Sequence, residues 1–156
     1  MRLNESKLQG IANALREIQV SIDSGFCILS VILYLRNSKS GLEILAFPCN
    51  NFGGQEPGTN AEIQEFAKSK GATFPVLGKI ECDNGEQTDP LYKYLKASLP
   101  NGIIGQGLKW NFAKFLCNSE GVPVKRYLPT TSPLGIEADI QELLKIKAGA
   151  TAKEET

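Results

Sequence analysis

The stretch that decides the fold is Gly41-Leu-Glu-Ile-Leu-Ala-Phe-Pro-Cys-Asn-Asn-Phe-Gly-Gly-Gln-Glu-Pro-Gly58. Its first part, residues 42–47, is a short apolar run with a single charge, which is typical of a strand buried on both faces. Pro48 ends this strand, because proline has no N–H to donate to a sheet. The glycine- and proline-rich remainder predicts a tight turn that carries Gln55.

The polar side chains of this turn have two interpretations. Open α/β sheets bind their ligands on loops just past the carboxyl ends of buried strands, and Asn50, Asn51 and Gln55 lie on such a loop. These three side chains are therefore candidate binding or catalytic groups. Alternatively, they only satisfy backbone groups of a strand-to-helix connection, as loop polar residues commonly do.

The composition indicates a globular protein. The chain has 156 residues, of which 42% are hydrophobic and 22% charged, and this is enough to bury a sizeable core. Lys plus Arg and Asp plus Glu both number 17, so the net charge is zero. A protein without excess positive charge has no electrostatic attraction for phosphates, and we expect no nucleic-acid partner.

Histidine and cysteine usage restricts the chemistry further. The sequence has no histidine, which removes Ser-His-Asp triads, Cys-His dyads and most zinc sites. The four cysteines form no C-x-x-C motif, which argues against a zinc knuckle, a thioredoxin-type dithiol and a secreted disulfide framework. We expect no metal ion and no prosthetic group. Any chemistry must use cysteine, carboxylates, lysine, or neutral donors such as Gln, Asn and Trp.

Two segments precede residues 41–58, which we call the organising stretch. Residues 1–20 predict a moderately amphipathic helix. The apolar run 26–35 is too short to span a bilayer, which needs about 20 residues. Asp23 lies just before this run, where a signal peptide would be basic. We therefore expect no membrane insertion, and the run predicts either a buried strand or a core helix.

Downstream of the stretch, local signals predict two helices. Thr59-Asn-Ala-Glu62 is a capping box that starts the first helix, and Gly71 fits the left-handed position that ends it. Asp89 caps the second helix and Pro90 opens it.

The remaining elements are strands and a last helix. Residues 79–82 predict a short strand, and residues 112–117 and 122–127 predict a hairpin. A helix follows Ser132-Pro133, and the residues from 148 to 156 predict a flexible tail. This order of elements indicates an α/β fold with a mixed sheet.

Two motifs resemble those of the glutathione peroxidase family. The stretch Phe47–Gly58 is similar to the family signature, with Asn51 where Gln is usual, and Lys109-Trp-Asn-Phe-Ala-Lys-Phe-Leu116 is similar to its second catalytic stretch. The resemblance continues through Leu128-Pro-Thr-Thr-Ser-Pro-Leu134 and the helix after it. It implies a thioredoxin-like α/β fold with a mixed central sheet flanked by helices, in a domain over residues 41–147.

The resemblance also implies an activity and a type. Members are thiol-dependent peroxidases that reduce hydrogen peroxide and organic or lipid hydroperoxides, with glutathione or another thiol as reductant. The short 97–108 connection resembles the monomeric, phospholipid-hydroperoxide type, because tetrameric members carry a longer insertion there. Lys68 stands where thioredoxin-recycled members place a resolving cysteine, which weakens that mechanism. We expect a monomer in the cytoplasm or an organelle.

Three neutral donors are the predicted catalytic residues. A thiol peroxidase must stabilise a sulfur or selenium anion without a cation that would quench it. The resemblance assigns this role to the Gln55 amide, the Trp110 indole N–H and the Asn111 amide, and we expect the three to converge on one shallow site. The structural alternatives are a core aromatic at Trp110 and a strand-entry hydrogen bond at Asn111.

The residue that attacks the peroxide is not evident. In the family it lies upstream, and the local counterpart Gln19-Val-Ser-Ile-Asp-Ser-Gly-Phe26 puts Ser24 at the reactive position, with Cys27 three residues on. A serine hydroxyl does not reduce a peroxide, so Cys27 and Ser24 are both weak peroxidatic candidates. Cys49 belongs to the signature but is not the peroxidatic residue of the family.

The other two cysteines carry no assigned chemistry. We expect Cys82 and Cys117 to be small core residues.

The resemblance fades before Gly41, so we expect residues 1–40 to be an atypical N-terminal segment. One explanation is loss from the sequence of the selenocysteine that many members use there, and the chain as written would then be a poor or inactive peroxidase. Three hypotheses remain open. The chain is a peroxidase that uses Cys27 or another nearby cysteine, an inactive relative that binds a partner or ligand, or a thioredoxin-fold scaffold with no peroxide site.

Overall fold

A computed structural model describes residues 32–83, 85–100 and 107–154, with side chains as far as residue 145. The predicted helix at 1–20 and the peroxidatic candidates Ser24 and Cys27 lie outside these residues. The described helices and strands are α1 (residues 32–37), α2 (Asn60–Ser69), α3 (Pro90–Ser98), β1 (Lys114–Cys117), β2 (Pro123–Tyr127) and α4 (Glu137–Glu154). Short 3-10 turns cover Ser38–Ser40, Gly85–Gln87 and Pro133–Ile136.

Helix α1 occupies the end of the apolar run. Of the two alternatives for 26–35, the helix is therefore correct for its described part. Asn37 is buried and donates from Nδ2 to the Leu33 carbonyl at 3.0 Å and to Glu137 Oε1 at 3.1 Å. The exposed Arg36 reaches the same carboxylate at 2.9 Å. These contacts hold α1 against the start of α4. The 3-10 turn after α1 ends at Gly41, whose φ of 101° favours glycine.

The predicted strand at 42–47 is extended but pairs at one residue only. Ala46 forms a parallel bridge with Val76, flanked by the bonds Ala46 N–H to Pro75 O at 3.0 Å and Leu77 N–H to Ala46 O at 2.9 Å. The expectation of burial on both faces was wrong, because Leu45 is 55% exposed. Only alternate residues of this segment face the core.

The predicted strand at 79–82 was also wrong. Its backbone groups bind side chains instead of a ladder: Lys79 N–H donates to Asn60 Oδ1 at 2.9 Å, and Cys82 N–H donates to Asn51 Oδ1 at 2.8 Å. Ile80 keeps one backbone bond, from its N–H to the Pro48 carbonyl at 3.0 Å. The segment thus runs beside the organising stretch without forming a regular strand.

Helix caps follow the predicted signals. The Thr59 hydroxyl accepts from the Glu62 N–H while the Glu62 carboxylate accepts from the Thr59 N–H, so the capping box of α2 is confirmed. Gly71, with φ of 86°, follows the end of α2. Asp89 Oδ1 accepts from the Leu91 N–H at 2.9 Å at the start of α3. Local sequence chemistry therefore sets where these helices begin.

The predicted hairpin is present, with shorter strands than expected. Strands β1 and β2 pair antiparallel from Lys114 opposite Tyr127, with an irregularity between Leu116 and Cys117. Asn118 closes the turn by accepting on its side chain from the N–H groups of Glu120 and Val122. The regular sheet of the described residues is this antiparallel pair, and the parallel bridge of Ala46 with Val76 lies outside it. Helices and strands together give the α/β arrangement that the order of elements predicts.

Two clusters form the core of the described residues. One centres on the buried residues Ala67, Ala72 and Phe74, and the other on Leu33, Tyr127, Ile136 and Ile140. Ile44 packs against both clusters. The organising stretch therefore lies between the two clusters and contacts both.

The last helix extends beyond the predicted domain end. Helix α4 continues to Glu154, so it includes most of the segment 148–156 that was expected to be a flexible tail. None of the described helices is long and apolar enough to cross a membrane.

We predict that Lys96→Met destabilises the fold. Lys96 is buried on α3, and its ammonium binds Asp83 Oδ1 at 2.8 Å and the Cys82 carbonyl at 3.1 Å. Losing this cation leaves the Cys82 carbonyl without its Lys96 donor and leaves Asp83 Oδ1 with the Leu108 N–H, at 3.0 Å, in place of an ion pair. We expect a loss of about 1–3 kcal/mol in the free energy of unfolding, measured by urea denaturation.

The matched control is Lys93→Met. Lys93 lies on the same helix but is exposed, and surface substitutions usually change stability by less than about 0.5 kcal/mol. Equal effects of the two substitutions would show that the contacts of Lys96 add nothing.

Candidate functional site

The shape of the loop after Pro48 depends on a hydrogen bond within the loop and on two glycines. The Asn50 side chain accepts from the Glu56 N–H at 2.8 Å, which closes the loop. For Asn50, therefore, the backbone-satisfying alternative is the correct one. Gly53 and Gly54 have φ of 66° and 63°, values that other residues rarely adopt, so the tight turn depends on the glycine pair.

Gln55 is hydrogen-bonded to the second motif, residues 109–116. Asn111 Nδ2 donates to Gln55 Oε1 at 2.9 Å, although the two residues are 56 positions apart. The bond occupies the oxygen of the Gln55 amide, whose NH₂ group keeps its two donors. Gln55 is exposed and Asn111 half-buried. The pair therefore presents neutral N–H donors at the surface.

Trp110 lies beside the same loop. Its ring is 5.8 Å from the ring of Phe52, centroid to centroid, and a Cβ on Gly53 would be 3.9 Å from Trp110 Cη2. Trp110 is 47% exposed, so the alternative of a core aromatic is wrong. The Asn111 side chain binds Gln55, which is distant in sequence, so its contacts extend beyond the local strand-entry hydrogen bond of the alternative. The structure thus brings Gln55, Trp110 and Asn111 to one exposed surface region.

An aromatic series ties this region to the core. The Tyr92 ring packs edge-on against Phe47, with centroids 5.7 Å apart, and against Phe115 at 6.2 Å. Phe47 precedes the loop, Tyr92 lies on α3 and Phe115 lies on β1. The two motifs are therefore positioned relative to each other by a shared side chain as well as by the Gln55–Asn111 bond.

A second group of polar atoms surrounds Cys49, directly after Pro48, and the sequence analysis did not anticipate it. Cys49 Sγ and Cys82 Sγ are 2.8 Å apart. Cys82 is 2% exposed, which confirms the expectation of a buried residue, whereas Cys49 is half-buried. Cys117 is exposed, so the expectation that it is a core residue was wrong. No local sequence pattern indicates the pair, because the contact depends on pairing between distant segments, such as the bond from the Ile80 N–H to the Pro48 carbonyl.

Asn51 organises the thiol pair. Its Oδ1 accepts from the Cys82 N–H at 2.8 Å and lies 3.2 Å from Cys82 Sγ, and its Nδ2 donates to Glu81 Oε2 at 2.6 Å. The Asn51 backbone N–H donates to the sulfur of Cys49. Asn51 therefore contacts both cysteines.

The two thiols differ in acidity. Hydrogen bonds to its sulfur, first from the Cys82 S–H and then from the Asn51 N–H, lower the pKa of Cys49 to about 7, against burial and the nearby Glu81 and Asp83 carboxylates. The same contact with Cys49, together with burial, raises the pKa of Cys82. Cys49 is therefore the nucleophilic member at neutral pH, because the thiolate is the reactive form of cysteine.

Among the residues with described positions, no cluster of three or more His, Cys, Asp or Glu side chains could hold a metal ion.

The chain has clear relatives. A family model described as glutathione peroxidase matches residues 25–96. A probable phospholipid hydroperoxide glutathione peroxidase of Helianthus annuus is 56% identical over 115 residues, which cover 73% of this chain and 63% of that protein. A protein of the same description from Citrus sinensis is 55% identical over 114 residues, which cover 72% and 67%. The chain thus spans about two thirds of the length of these curated relatives.

Solved structures agree with this result. The crystal structure of T. cruzi GPX1 superposes with a TM-score of 0.60 at 34% identity, covering 75% of this chain and 69% of that one. Trgpx in its apo form gives the same TM-score at 35% identity. These likenesses confirm the thioredoxin-like α/β fold class.

We predict that the alkylation rate of Cys49 by iodoacetamide rises with pH through a midpoint near 7. Below this pH the sulfur is protonated and unreactive, and above it the thiolate is present. Cys82→Ala removes the S–H donor and should move the midpoint to higher pH. The rates are measured by mass spectrometry of tryptic peptides.

Cys117 serves as the internal control. It is exposed, but partial desolvation of its sulfur raises its pKa, so its rate should rise only at higher pH. If Cys49 and Cys117 had the same midpoint, the hydrogen bonds would not stabilise the Cys49 thiolate.

Proposed function

Because this chain belongs to the glutathione peroxidase family, we propose that it is a thiol-dependent peroxidase that reduces hydrogen peroxide and organic or lipid hydroperoxides. Several relatives are named for phospholipid hydroperoxide, which supports a lipid hydroperoxide as substrate. Glutathione or another thiol supplies the electrons. The names of the relatives favour an enzyme over the alternative of a binding protein without catalysis.

The observation that carries the proposal is the hydrogen bond between Gln55 and Asn111, with Trp110 beside it. Residues of two distant motifs meet at one exposed place, and all three side chains carry neutral N–H donors. Such donors stabilise a developing anion without neutralising it. In the proposed site they act on the anion of the attacking residue and on the peroxide oxygen that becomes an alkoxide.

The proposed reaction proceeds through sulfur chemistry. A thiolate attacks one peroxide oxygen, the O–O bond breaks, and the other oxygen leaves with a proton as an alcohol or water. The resulting sulfenic acid reacts with a first reductant thiol to give a mixed disulfide and water. A second reductant thiol releases the enzyme thiol and forms the oxidised reductant. Cys27 remains the candidate for this step, and Ser24, at the position of the family's reactive residue, lacks the necessary sulfur.

The cellular setting is part of the proposal. We place the protein in the cytoplasm or in an organelle, since relatives from Arabidopsis thaliana are named as mitochondrial and chloroplastic. We also propose a monomer with no nucleic-acid partner, in which residues 41–147 form the peroxidase domain and residues 1–40 an atypical N-terminal segment. Zero net charge supports the absence of a phosphate-binding surface.

We predict that Gln55→Leu lowers kcat/KM for a lipid hydroperoxide with glutathione by about 10²–10³-fold, since removing one preorganised donor has this effect in comparable sites. Trp110→Phe, which keeps an aromatic ring but removes the indole N–H, should also lower it. The measurement is steady-state consumption of the hydroperoxide by the full chain.

The control is Gln87→Leu, the same change at an exposed glutamine in the 3-10 turn Gly85–Gln87. Unchanged turnover in both Gln55→Leu and Trp110→Phe would remove these residues from catalysis. In the same assay, loss of turnover in Cys27→Ser would identify Cys27 as the attacking residue. A full chain with no turnover at all would contradict the proposed activity.

A further inference from the structure

The thiols of Cys49 and Cys82 are held close together, and the reaction proposed above gives neither of them a role. Cys49 Sγ and Cys82 Sγ lie 2.8 Å apart, while a disulfide bond measures about 2.05 Å. Neither sulfur is engaged in a disulfide in the structure. A shift of less than one bond length therefore separates this pair from a covalent link.

The surrounding contacts hold both backbones in this position. The Ile80 N–H donates to the Pro48 carbonyl at 3.0 Å, so the residues after each of them run side by side. The Lys96 ammonium binds the Cys82 carbonyl at 3.1 Å, and Asn51 Oδ1 binds the Cys82 N–H at 2.8 Å. Several hydrogen bonds thus hold the Cys82 backbone in place next to Cys49.

We propose that Cys49 and Cys82 form a redox dithiol, in which Cys49 attacks a hydroperoxide and Cys82 then closes an internal disulfide. This inference rests on the hydroperoxide chemistry proposed above and gives it a second reactive centre, within the described residues and independent of Cys27.

The proposed cycle uses a hydroperoxide as oxidant and a small thiol as reductant. The Cys49 thiolate attacks the hydroperoxide, the O–O bond breaks, and an alcohol leaves after taking up a proton, which converts Cys49 to a sulfenic acid. The Cys82 sulfur attacks the Cys49 sulfur, an S–S bond forms, and the hydroxyl of the sulfenic acid leaves as water with the proton of the Cys82 thiol. Two molecules of a small thiol then reduce the disulfide and are themselves oxidised to a disulfide.

The assignment of roles follows from exposure and hydrogen bonding. Cys49 is half-buried and accepts hydrogen bonds from the Asn51 N–H and the Cys82 S–H, which together favour its thiolate. Its pKa of about 7 leaves about half of it ionised at neutral pH. Cys82 is buried, with a raised pKa, so it remains a thiol until the sulfenic acid has formed next to it. Cys49 therefore attacks and Cys82 resolves.

The test uses the reduced full chain and one equivalent of hydrogen peroxide, with no added thiol. After quenching with an alkylating agent, trypsin releases Cys49 in the peptide 40–68 and Cys82 in the peptide 80–93, so that a disulfide joins two separate peptides. We expect most of the wild-type chain to yield this cross-linked pair. Recovery of both peptides as alkylated thiols while the peroxide is consumed elsewhere would overturn the proposal.

Two serine variants separate the roles. Cys82→Ser keeps a hydroxyl donor next to Cys49 but cannot form the disulfide, so the Cys49 sulfenic acid should accumulate and be trapped by dimedone. In Cys49→Ser, Cys82 should stay a free thiol. Cys117→Ser, a change at an exposed cysteine, is the control and should give the wild-type cross-link. Circular dichroism establishes that each variant is folded, and the wild-type result stands without them.

Failure of this inference and failure of the proposed function have different signatures. If Gln55→Leu loses steady-state turnover but no 49–82 cross-link forms, the inference is wrong and the proposed function stands. If the cross-link forms in the wild type and in Cys27→Ser while Gln55→Leu keeps full turnover, the dithiol stands and the Gln55 region is not the catalytic site. A disulfide between Cys49 and Cys27 in place of the 49–82 pair would also overturn the inference.

Discussion

The structure depends on a short parallel pairing between two segments of backbone. Three hydrogen bonds, to or from the main chain of Ala46 and Pro48, join the organising stretch to residues 75–80. Because Ile44 packs into both core clusters, this pairing also determines how the two clusters are placed relative to each other. These bonds fix the position of Pro48, and the glycine turn and its polar residues continue from there.

Two chemically distinct places result from this one constraint. In the first place, the glycine turn presents Gln55 to Asn111, and the aromatic contacts of Tyr92 hold the two motifs together. In the second place, Cys49 lies against Cys82. The first place offers neutral donors, and the second offers a thiolate with a neighbouring thiol. The proposed peroxidase site uses the first place, and the proposed dithiol uses the second.

The sequence predicted the features that depend on local chemistry. The capping box at Thr59 and Glu62, the cap at Asp89 and the hairpin turn at Asn118 are confirmed, because each is specified by residues within a few positions of each other. The family resemblance selected Gln55, Trp110 and Asn111, which no local pattern could have connected. The regular strand predicted at 79–82 was wrong, since Asn60 and Asn51 accept from its N–H groups in place of a ladder. The segment 42–47 pairs only through the bridge at Ala46. The Cys49–Cys82 contact depends on the register between distant segments, and hydrophobic periodicity does not encode that register.

The most direct test of this account is amide hydrogen exchange at the pairing itself, followed residue by residue by NMR. The N–H groups of Ala46, Leu77 and Ile80 each donate to a backbone carbonyl across the two segments. If the pairing organises the molecule, these three amides should exchange far more slowly than in an unstructured chain, with protection comparable to that of the core helices. Exchange of all three at random-coil rates, in a chain whose helices remain protected, would contradict the central role given to this pairing.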